Sequence, residues 1–164
     1  MVNGNKLWGE KCVSNMIKKA ISDKREIYTY LNIPDSLYHS LQRTAKAYPD
    51  KTAIVDNYGR SYTFGGIMQR TEELAAYLHC DRGIGQRSHV GPMMYNCVEF
   101  CIALLAVSRL GAVAVPLPSK FRKPEVLSLS RKADISLVIC DADFAGWFRG
   151  EYTDRQILAV RQIE

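Results

Sequence analysis

The sequence lacks any apolar stretch close to the roughly 18 residues that a membrane-spanning helix needs. Its N-terminus also lacks the uninterrupted apolar run of a secretory signal peptide, because charged residues recur from Lys6 onwards. These two absences argue against a membrane-spanning protein and against signal-directed secretion. We therefore expect a cytoplasmic protein with no membrane span.

Metal ligands and paired cysteines are also scarce. The five cysteines are an odd number, without the spacing of a disulfide framework or a zinc site: Cys12, Cys80, Cys97, Cys101 and Cys140. We expect reduced, mostly buried thiols. Cys97 and Cys101 could form a redox or metal pair on one helix face, but two small buried side chains facing a sheet is the favoured interpretation. No metal is predicted, and structural or surface roles are expected for His39, His79 and His89.

No loop in the sequence has the features of a phosphate-binding loop. Neither Gly-Lys-Ser nor Gly-Lys-Thr occurs. The Gly83-Ile84-Gly85 segment follows a predicted helix and precedes a predicted strand. A phosphate loop needs the reverse order, so that backbone amides and the positive end of a helix face the anion. We interpret this segment as a turn and predict no nucleotide-binding residue.

Positive charge is concentrated at the N-terminus. The net charge is +5, and residues 1–27 contribute +3 through six basic and three acidic residues. Apolar residues near helical spacing predict an amphipathic helix within residues 1–32: Leu7, Trp8, Cys12, Met16, Ile17, Ala20 and Ile21. Its basic face is interpreted as a solvated surface, with contact to nucleic acid or an anionic membrane as the alternative. The remaining chain is nearly balanced in charge, so no nucleic-acid partner is predicted.

The composition that is present suits one folded domain. At 164 residues, with 47% hydrophobic and 24% charged residues, the chain can bury a core but not several. We assign that domain to residues 33–164. Turn and cap residues predict its first elements: a helix capped by Asp35 or Ser36 and stopped by Pro49, a β-hairpin of strands 51–56 and 60–63, and a helix capped by Thr63.

From Ser88 onwards the pattern alternates between strand and helix, which predicts an α/β fold with a parallel sheet and crossover helices. The predicted strands are 88–94, 112–116 and 135–140. Asn96 and Glu99 have the spacing of a capping box for the first crossover helix. Pro124 suits the first turn of the next helix, where its missing amide is not needed.

Some residues follow the carboxyl ends of these strands, where open α/β sheets bind their ligands. Asn96 could help to hold an anion, although capping alone explains it. Asp141 and Asp143 follow the strand 135–140, and a role in a turn is the favoured interpretation. The β-prone run Ile157–Val160 comes last, with no cap or closing turn after it, so we expect a truncated domain.

The ordered motifs resemble the opening of the adenylate-forming superfamily, which includes acyl-CoA synthetases, peptide-synthetase adenylation domains and luciferases. Residues 48–56, Tyr-Pro-Asp-Lys-Thr-Ala-Ile-Val-Asp, and 61–64, Ser-Tyr-Thr-Phe, come first. Asn96-Cys97-Val98-Glu99-Phe100 then resembles the family's Asn-x-x-Glu-Phe helix. Residues 111–117 resemble its Gly-Ala-Val-x-Val-Pro-Leu strand. The resemblance covers about residues 33–142.

The resemblance implies that the chain is an incomplete part of the large N-terminal domain of such an enzyme. The implied parent activates a carboxylate with ATP and Mg²⁺ and passes the acyl group to a thiol such as coenzyme A. The family's phosphate loop, adenine and ribose segment, hinge and small C-terminal domain with the catalytic lysine have no counterpart here. We therefore expect no catalytic, cofactor-binding or metal-binding residue in this chain, and an inactive isolated polypeptide.

Partners follow from the same expectation. The remainder of the enzyme is the expected partner, and a homodimer through uncovered sheet surface is possible. The alternative is a stand-alone, non-catalytic α/β interaction or ligand-binding module that pairs through an exposed sheet edge.

Overall fold

The computed structural model describes residues 14–160, which fall into two compact units divided between Asp35 and Ser36. The first unit contains a β-hairpin and the second contains the α/β fold. Each unit is described by itself.

The hairpin of the first unit corrects the predicted amphipathic helix. Strands β1 (Met16–Ser22) and β2 (Arg25–Tyr30) pair antiparallel, with Met16 opposite Tyr30 and Lys19 opposite Ile27. Most of their side chains are exposed. Because neither face is buried, the apolar residues show no strand alternation, and their spacing fits a helix equally well. The part of the predicted helix in residues 1–13 lies outside the described residues.

The second unit alternates helices and strands from Ser36 onwards. Its elements are α1 (Leu37–Ala47), β3 (Thr52–Val55), β4 (Ser61–Thr63), α2 (Phe64–Cys80), β5 (His89–Met93), α3 (Val98–Arg109), β6 (Val113–Ala114), α4 (Lys123–Lys132), β7 (Leu137–Asp141), α5 (Ala142–Phe148), a 3-10 turn (Asp154–Gln156) and β8 (Ile157–Val160).

The predicted caps and hairpin at the start of this unit are confirmed. Ser36 Oγ accepts a hydrogen bond from the His39 amide at 3.1 Å and caps α1. Strands β3 and β4 pair antiparallel. Thr63 Oγ1 accepts from the Gly66 amide at 3.1 Å and caps α2, so the cap satisfies a backbone donor that the helix leaves free.

The four remaining strands form one parallel sheet in the order β6-β5-β7-β8, which confirms the predicted α/β architecture. The short β6 continues its ladder beyond its bounds, because the amides of Val115 and Leu117 donate to the carbonyls of Val90 and Pro92 in the neighbouring strand β5, both at 2.8 Å. Gly111 adopts φ +65° after α3, a conformation that favours glycine and ends the helix tightly before the strand.

Helices cover both faces of the sheet. Alternate residues of β7 point to opposite sides, so Leu137 and Ile139 pack with α2 and α3, whereas Val138 and Cys140 pack with α4 and α5. All five residues of β7 are buried, as in a strand covered on both faces. No helix among the described residues is long and apolar enough to cross a membrane.

Two expectations for the connections are wrong. Helix α3 is capped by Cys97 rather than Asn96, and no side-chain hydrogen bond closes its first turn. Glu99 instead contacts Arg60 at 3.5 Å, so a long-range ion pair replaces the predicted capping box. Residues 142–148 form a helix, which places Asp143 in its first turn rather than in a loop.

Candidate functional site

The carboxyl edge of the parallel sheet has one topological switch point. The chain leaves β5, crosses through α3 to β6 on one side, and returns through α4 to β7 on the other side of β5. Strands β5 and β7 are neighbours, and the loops that follow them therefore run in opposite directions and leave a crevice between them. Open α/β sheets bind their ligands in this crevice, which makes it the first place to look for a site.

Asp141 lies at this point, at the carboxyl end of β7. Its side chain is buried with the residue 2% exposed, and its Oδ2 accepts a hydrogen bond from the Tyr95 amide at 2.8 Å. This bond ties the loop after β5 to the end of β7. Its Oδ1 is buried and has no hydrogen-bond partner among the described residues. An unsatisfied buried acceptor costs about 1–3 kcal/mol, and more when it is charged.

Aromatic rings close the crevice beside this carboxylate. Phe144 of α5 contacts the rings of Tyr95 and Trp147, with centroids 5.3 Å apart in both pairs. Phe144 is buried, while Tyr95 is 46% exposed. Asn96, predicted as a cap or an anion ligand, is exposed on the same loop. The switch point is thus a packed apolar joint around one carboxylate, with polar groups only at its rim.

The thiols near this edge are held in the neutral form. Burial raises the pKa of Cys97 to about 11, and the charges of Glu99 and Asp141 act in the same direction. Burial raises the pKa of Cys140 to about 12, again with Asp141 contributing. A thiol becomes a nucleophile or a metal ligand only as the thiolate, so neither residue is poised for that chemistry. Cys97 packs against the core as predicted, and Cys101 is half-buried.

An ion-pair cluster joins the β3–β4 hairpin to α3. Arg60 pairs with Asp56 at 2.5 Å and with Glu99 at 3.5 Å. Burial alone would raise the pKa of Asp56, but hydrogen bonds from the Arg60 side chain and from the amides of Arg60 and Tyr58 lower it. The cluster is therefore a structural connection with its charges satisfied internally.

A second polar cluster joins α1, α2 and α3. The Tyr38 hydroxyl donates to Glu72, and Arg109 pairs with the same carboxylate at 3.3 Å. Burial raises the pKa of Tyr38, and the Glu72 carboxylate raises it further. A hollow of about 440 Å³ adjoins Glu72 and Arg109, lined mainly by α2 and the Gly85-Gln86 segment. Of the groups that line it, Glu72 and Arg109 bond to each other.

The remaining sequence candidates have structural roles. His79 Nδ1 contacts the Ile84 carbonyl at 3.0 Å, and His89 Nδ1 contacts the Ala133 carbonyl at 2.5 Å. The Gly83-Ile84-Gly85 segment is a turn between α2 and β5, as predicted. Within residues 14–160, no three His, Cys, Asp or Glu side chains are grouped to hold a metal ion.

The sequence-based interpretation of Asp141 is also wrong. It was expected in a turn, but it is buried at a strand-to-helix junction and accepts a bond from another loop. One signal points to this role: an acidic residue directly follows the wholly apolar run Leu137–Cys140, so it is carried into the core by its own strand.

Comparison with known proteins identifies the family to which this chain belongs. The profile of the AMP-binding enzyme family matches residues 41–162, nearly all of the second unit. The chain belongs to the AMP-binding enzyme family. It corresponds to the N-terminal part of the adenylate-forming superfamily, as the order of its motifs predicted.

Relatives with curated functions include two fatty-acid ligases. The medium-chain fatty-acid–CoA ligase of Escherichia coli K12 is 33% identical over 102 residues, which is 62% of this chain and 18% of that enzyme. The long-chain fatty-acid–CoA ligase of Bacillus subtilis is 32% identical over 110 residues, 66% of this chain and 19% of that enzyme. The chain therefore spans less than a fifth of the length of these relatives.

Solved structures show the same fold. The N-terminal domain of FACL13 from Mycobacterium tuberculosis, crystallised with an inhibitor, superposes with a TM-score of 0.69 at 24% identity. The match covers 76% of this chain and 33% of that domain. VinN superposes with a TM-score of 0.71 at 22% identity, over 79% of this chain and 34% of VinN. These likenesses establish the architecture alone.

Proposed function

We propose that this chain provides the first part of the N-terminal domain of an AMP-forming acyl-CoA synthetase, and that it is inactive by itself. The parent reaction is attack of a carboxylate on ATP to give an acyl-adenylate and pyrophosphate, followed by acyl transfer to a thiol. The observation that carries the proposal is the family match over residues 41–162, together with two fatty-acid–CoA ligases above 30% identity. Carboxylic acids of medium or long chain are the first substrates to test.

The residues described at the switch point and in the turn 83–85 do not suit the phosphates of ATP. The switch-point crevice contains the buried Asp141 carboxylate, which repels anions, and Glu99 adds negative charge in the first turn of α3. The turn 83–85 precedes a strand instead of opening a helix. In-line attack at the α-phosphate needs donors that stabilise its developing charge. We assign those donors, the Mg²⁺ site and the coenzyme A site to other parts of the parent enzyme.

In this proposal the chain contributes a scaffold. Its parallel sheet has helices on both faces, and the ladder stops at β8, whose outer edge pairs with no described residue. The rest of the enzyme is the partner expected at that edge. A location in the cytoplasm belongs to the same proposal, since free cysteines such as the exposed Cys80 persist in a reducing compartment.

A second candidate is an interaction module that pairs through the β8 edge, including with a second copy of itself. The unpaired outer edge of β8 favours it, because free backbone amides and carbonyls accept another strand. Sedimentation equilibrium of the 164-residue chain tests the homodimer: a concentration-dependent dimer supports it, and a monomer at all concentrations excludes it.

ATP–pyrophosphate exchange tests the main proposal. The 164-residue chain and a version extended through the downstream reading frame are assayed with carboxylic acids of graded length, with the E. coli medium-chain ligase as the positive control. We expect exchange by the extended protein alone. Exchange by the 164-residue chain would refute its proposed inactivity, and no exchange by either would favour the interaction module.

A further inference from the structure

Exposed apolar side chains are concentrated in the β1–β2 hairpin and the residues just after it. The exposed large hydrophobic residues of this segment are Ile17, Ile21, Ile27, Tyr28, Tyr30, Leu31 and Ile33. A hairpin of two strands is marginally stable in water by itself, because it has no second layer against which to bury its side chains. Exposed apolar surface of this kind is typical of an interaction site.

The pairing register divides the hairpin into two faces of different chemistry. Side chains alternate between the faces of a strand, and residues paired across two strands share a face. The face that contains the Lys19–Ile27 pair, called here the isoleucine face, consists of Ile17, Lys19, Ile21, Arg25, Ile27 and Thr29. Ile21 lies at the register shift beside Ser22, where β1 has one residue more than β2.

The opposite face satisfies its own charges. Lys18 pairs with Glu26 at 3.5 Å, and the Lys18 ammonium lies 5.6 Å from the centroid of the Tyr28 ring. Glu26 is the only acidic residue within β1 and β2. The turn between the strands contains one acidic and one basic residue, Asp23 and Lys24, and is neutral. The isoleucine face therefore carries two cations and no carboxylate.

The isoleucine face complements a surface that is both anionic and apolar. Ile17, Ile21 and Ile27 are 39%, 51% and 40% exposed, and Lys19 and Arg25 are exposed beside them. An anionic bilayer attracts basic side chains to its headgroups and accepts apolar side chains between its acyl chains. A nucleic acid complements the cations but offers no place for the isoleucines. Two isoleucine faces packed together would bring cations face to face with no carboxylate between them.

We propose that the isoleucine face docks the hairpin on the surface of an anionic phospholipid membrane. The hairpin lies in the plane of the interface and does not cross the bilayer. Ile17, Ile21 and Ile27 enter the boundary between headgroups and acyl chains, and Lys19 and Arg25 contact the anionic headgroups. Docking needs neither ATP nor a carboxylic acid, so it does not depend on the proposed function.

Co-sedimentation with lipid vesicles tests the docking. The 164-residue chain is mixed with vesicles of phosphatidylcholine alone and with vesicles in which about one-third of the lipid is phosphatidylserine. We expect binding to the anionic vesicles that weakens as NaCl is added, and much weaker binding to the neutral vesicles. Absence of binding to the anionic vesicles would overturn the proposal.

Charge variants test the role of the two cations. Each basic residue near an anionic surface strengthens binding about fivefold, so Lys19→Gln/Arg25→Gln should lower the partition coefficient about thirtyfold. The matched control, Lys46→Gln/Lys120→Gln, removes the same charge from two exposed positions of the second unit and should lower it less than about threefold. Equal losses in the two variants would show that net charge alone attracts the chain, and would overturn docking through this face.

Apolar variants distinguish a membrane from other polyanions. Ile17→Ser/Ile27→Ser keeps every charge and should lower vesicle binding at least about tenfold. Tyr28→Ser, on the opposite face, controls for a weakened hairpin because it removes the ring beside Lys18, and it should have little effect. An isoleucine variant that binds vesicles as well as the native chain, together with equally tight binding to a random-sequence DNA duplex, would indicate a general anion-binding surface and overturn the proposal. Should the isoleucine variant fail to fold, the charge variants still decide.

The same measurement on the version extended through the downstream reading frame shows whether the isoleucine face is accessible in the parent enzyme. We expect the extended protein to bind the anionic vesicles and to lose that binding with Lys19→Gln/Arg25→Gln. Loss of vesicle binding in the extended protein would show that the remainder of the enzyme covers this face, and would overturn the membrane as its partner.

Discussion

Substitution of Gly91, in the middle of β5, by alanine adds one methyl group and tests how tightly the parallel sheet is packed. A Cβ built at this position would lie 2.7 Å from Ile135 Cδ1 and 3.3 Å from both Ile135 Cγ2 and Leu117 Cδ1. Ile135 and Leu117 are each 5% exposed, so they have little room to move. Insertion of a methyl group into a packed core costs about 1–3 kcal/mol. The lower entropy of the unfolded alanine chain returns about 0.4–1 kcal/mol.

We therefore expect Gly91→Ala to lower the free energy of unfolding by about 1–2 kcal/mol. Gly146 in α5 provides the matched control, because its Cβ would meet no atom within 4 Å. Gly146→Ala should be neutral or stabilise by up to about 1 kcal/mol, since alanine favours the helix. Urea unfolding measures both changes, because the m-value of about 1–3 kcal/mol/M converts them into visible midpoint shifts.

A double-mutant cycle identifies the contact responsible. Ile135→Val removes Cδ1, the atom nearest to the added methyl group, and alone should cost about 0.5–1.5 kcal/mol. In the Gly91→Ala background it should cost nearly nothing, which gives a coupling energy of about 1 kcal/mol. Additive effects, or a Gly91→Ala variant as stable as Gly146→Ala, would refute this account of the sheet packing.

Other predictions concern caps, thiols and acid stability. Ser36→Ala and Thr63→Ala should each cost about 1 kcal/mol in urea unfolding, whereas Asn96→Ala should stay within about 0.5 kcal/mol because Asn96 is not the cap; equal losses at Asn96 and Thr63 would contradict this. At pH 8 a pKa of about 11 leaves about one Cys97 thiol in a thousand ionised, so mass spectrometry after alkylation should find the exposed Cys80 labelled before Cys97. Labelling of Cys97 should then rise about tenfold per pH unit up to pH 10, and equal rates at Cys80 and Cys97 would be the contrary result. The lowered pKa of Asp56 means that its stabilising effect is present above the ordinary value of 3.8 and is lost as pH falls through the folded value. Asp56→Asn should remove that part of the acid dependence, and an unchanged pH profile of the unfolding midpoint would show that Asp56 contributes nothing.

The elements that sequence predicts well are those with a local chemical signal. Ser36 and Thr63 cap their helices because a hydroxyl three residues before a backbone amide suffices to form the bond. The parallel sheet follows from apolar strands alternating with helical segments. Even the short β6 was expected, since the Val-rich run after Gly111 suits a strand covered by other elements.

The elements that sequence predicts poorly depend on distant partners. Glu99 has the spacing of a capping box, but its carboxylate accepts a hydrogen bond from Arg60, 39 residues earlier. Aspartate is a residue type common in turns, but the Asp141 side chain accepts a hydrogen bond from the amide of Tyr95, 46 residues earlier, and lies in the core. The prediction of a helix for residues Met16–Tyr30, which form a hairpin, is wrong for a different reason. Both faces of the hairpin are exposed, so its apolar residues do not alternate with polar ones as they do in a half-buried strand.

Titration of the ¹⁵N-labelled 164-residue chain with ATP and Mg²⁺, followed by amide NMR spectra, tests the central claim most directly. The chain is proposed to be the scaffold of an AMP-binding enzyme without its own nucleotide site. The account predicts no saturable amide shifts at millimolar ATP. Saturable shifts confined to the residues after β5 and β7, around Tyr95 and Asp141, would contradict it and would place a nucleotide site at the switch point of this sheet.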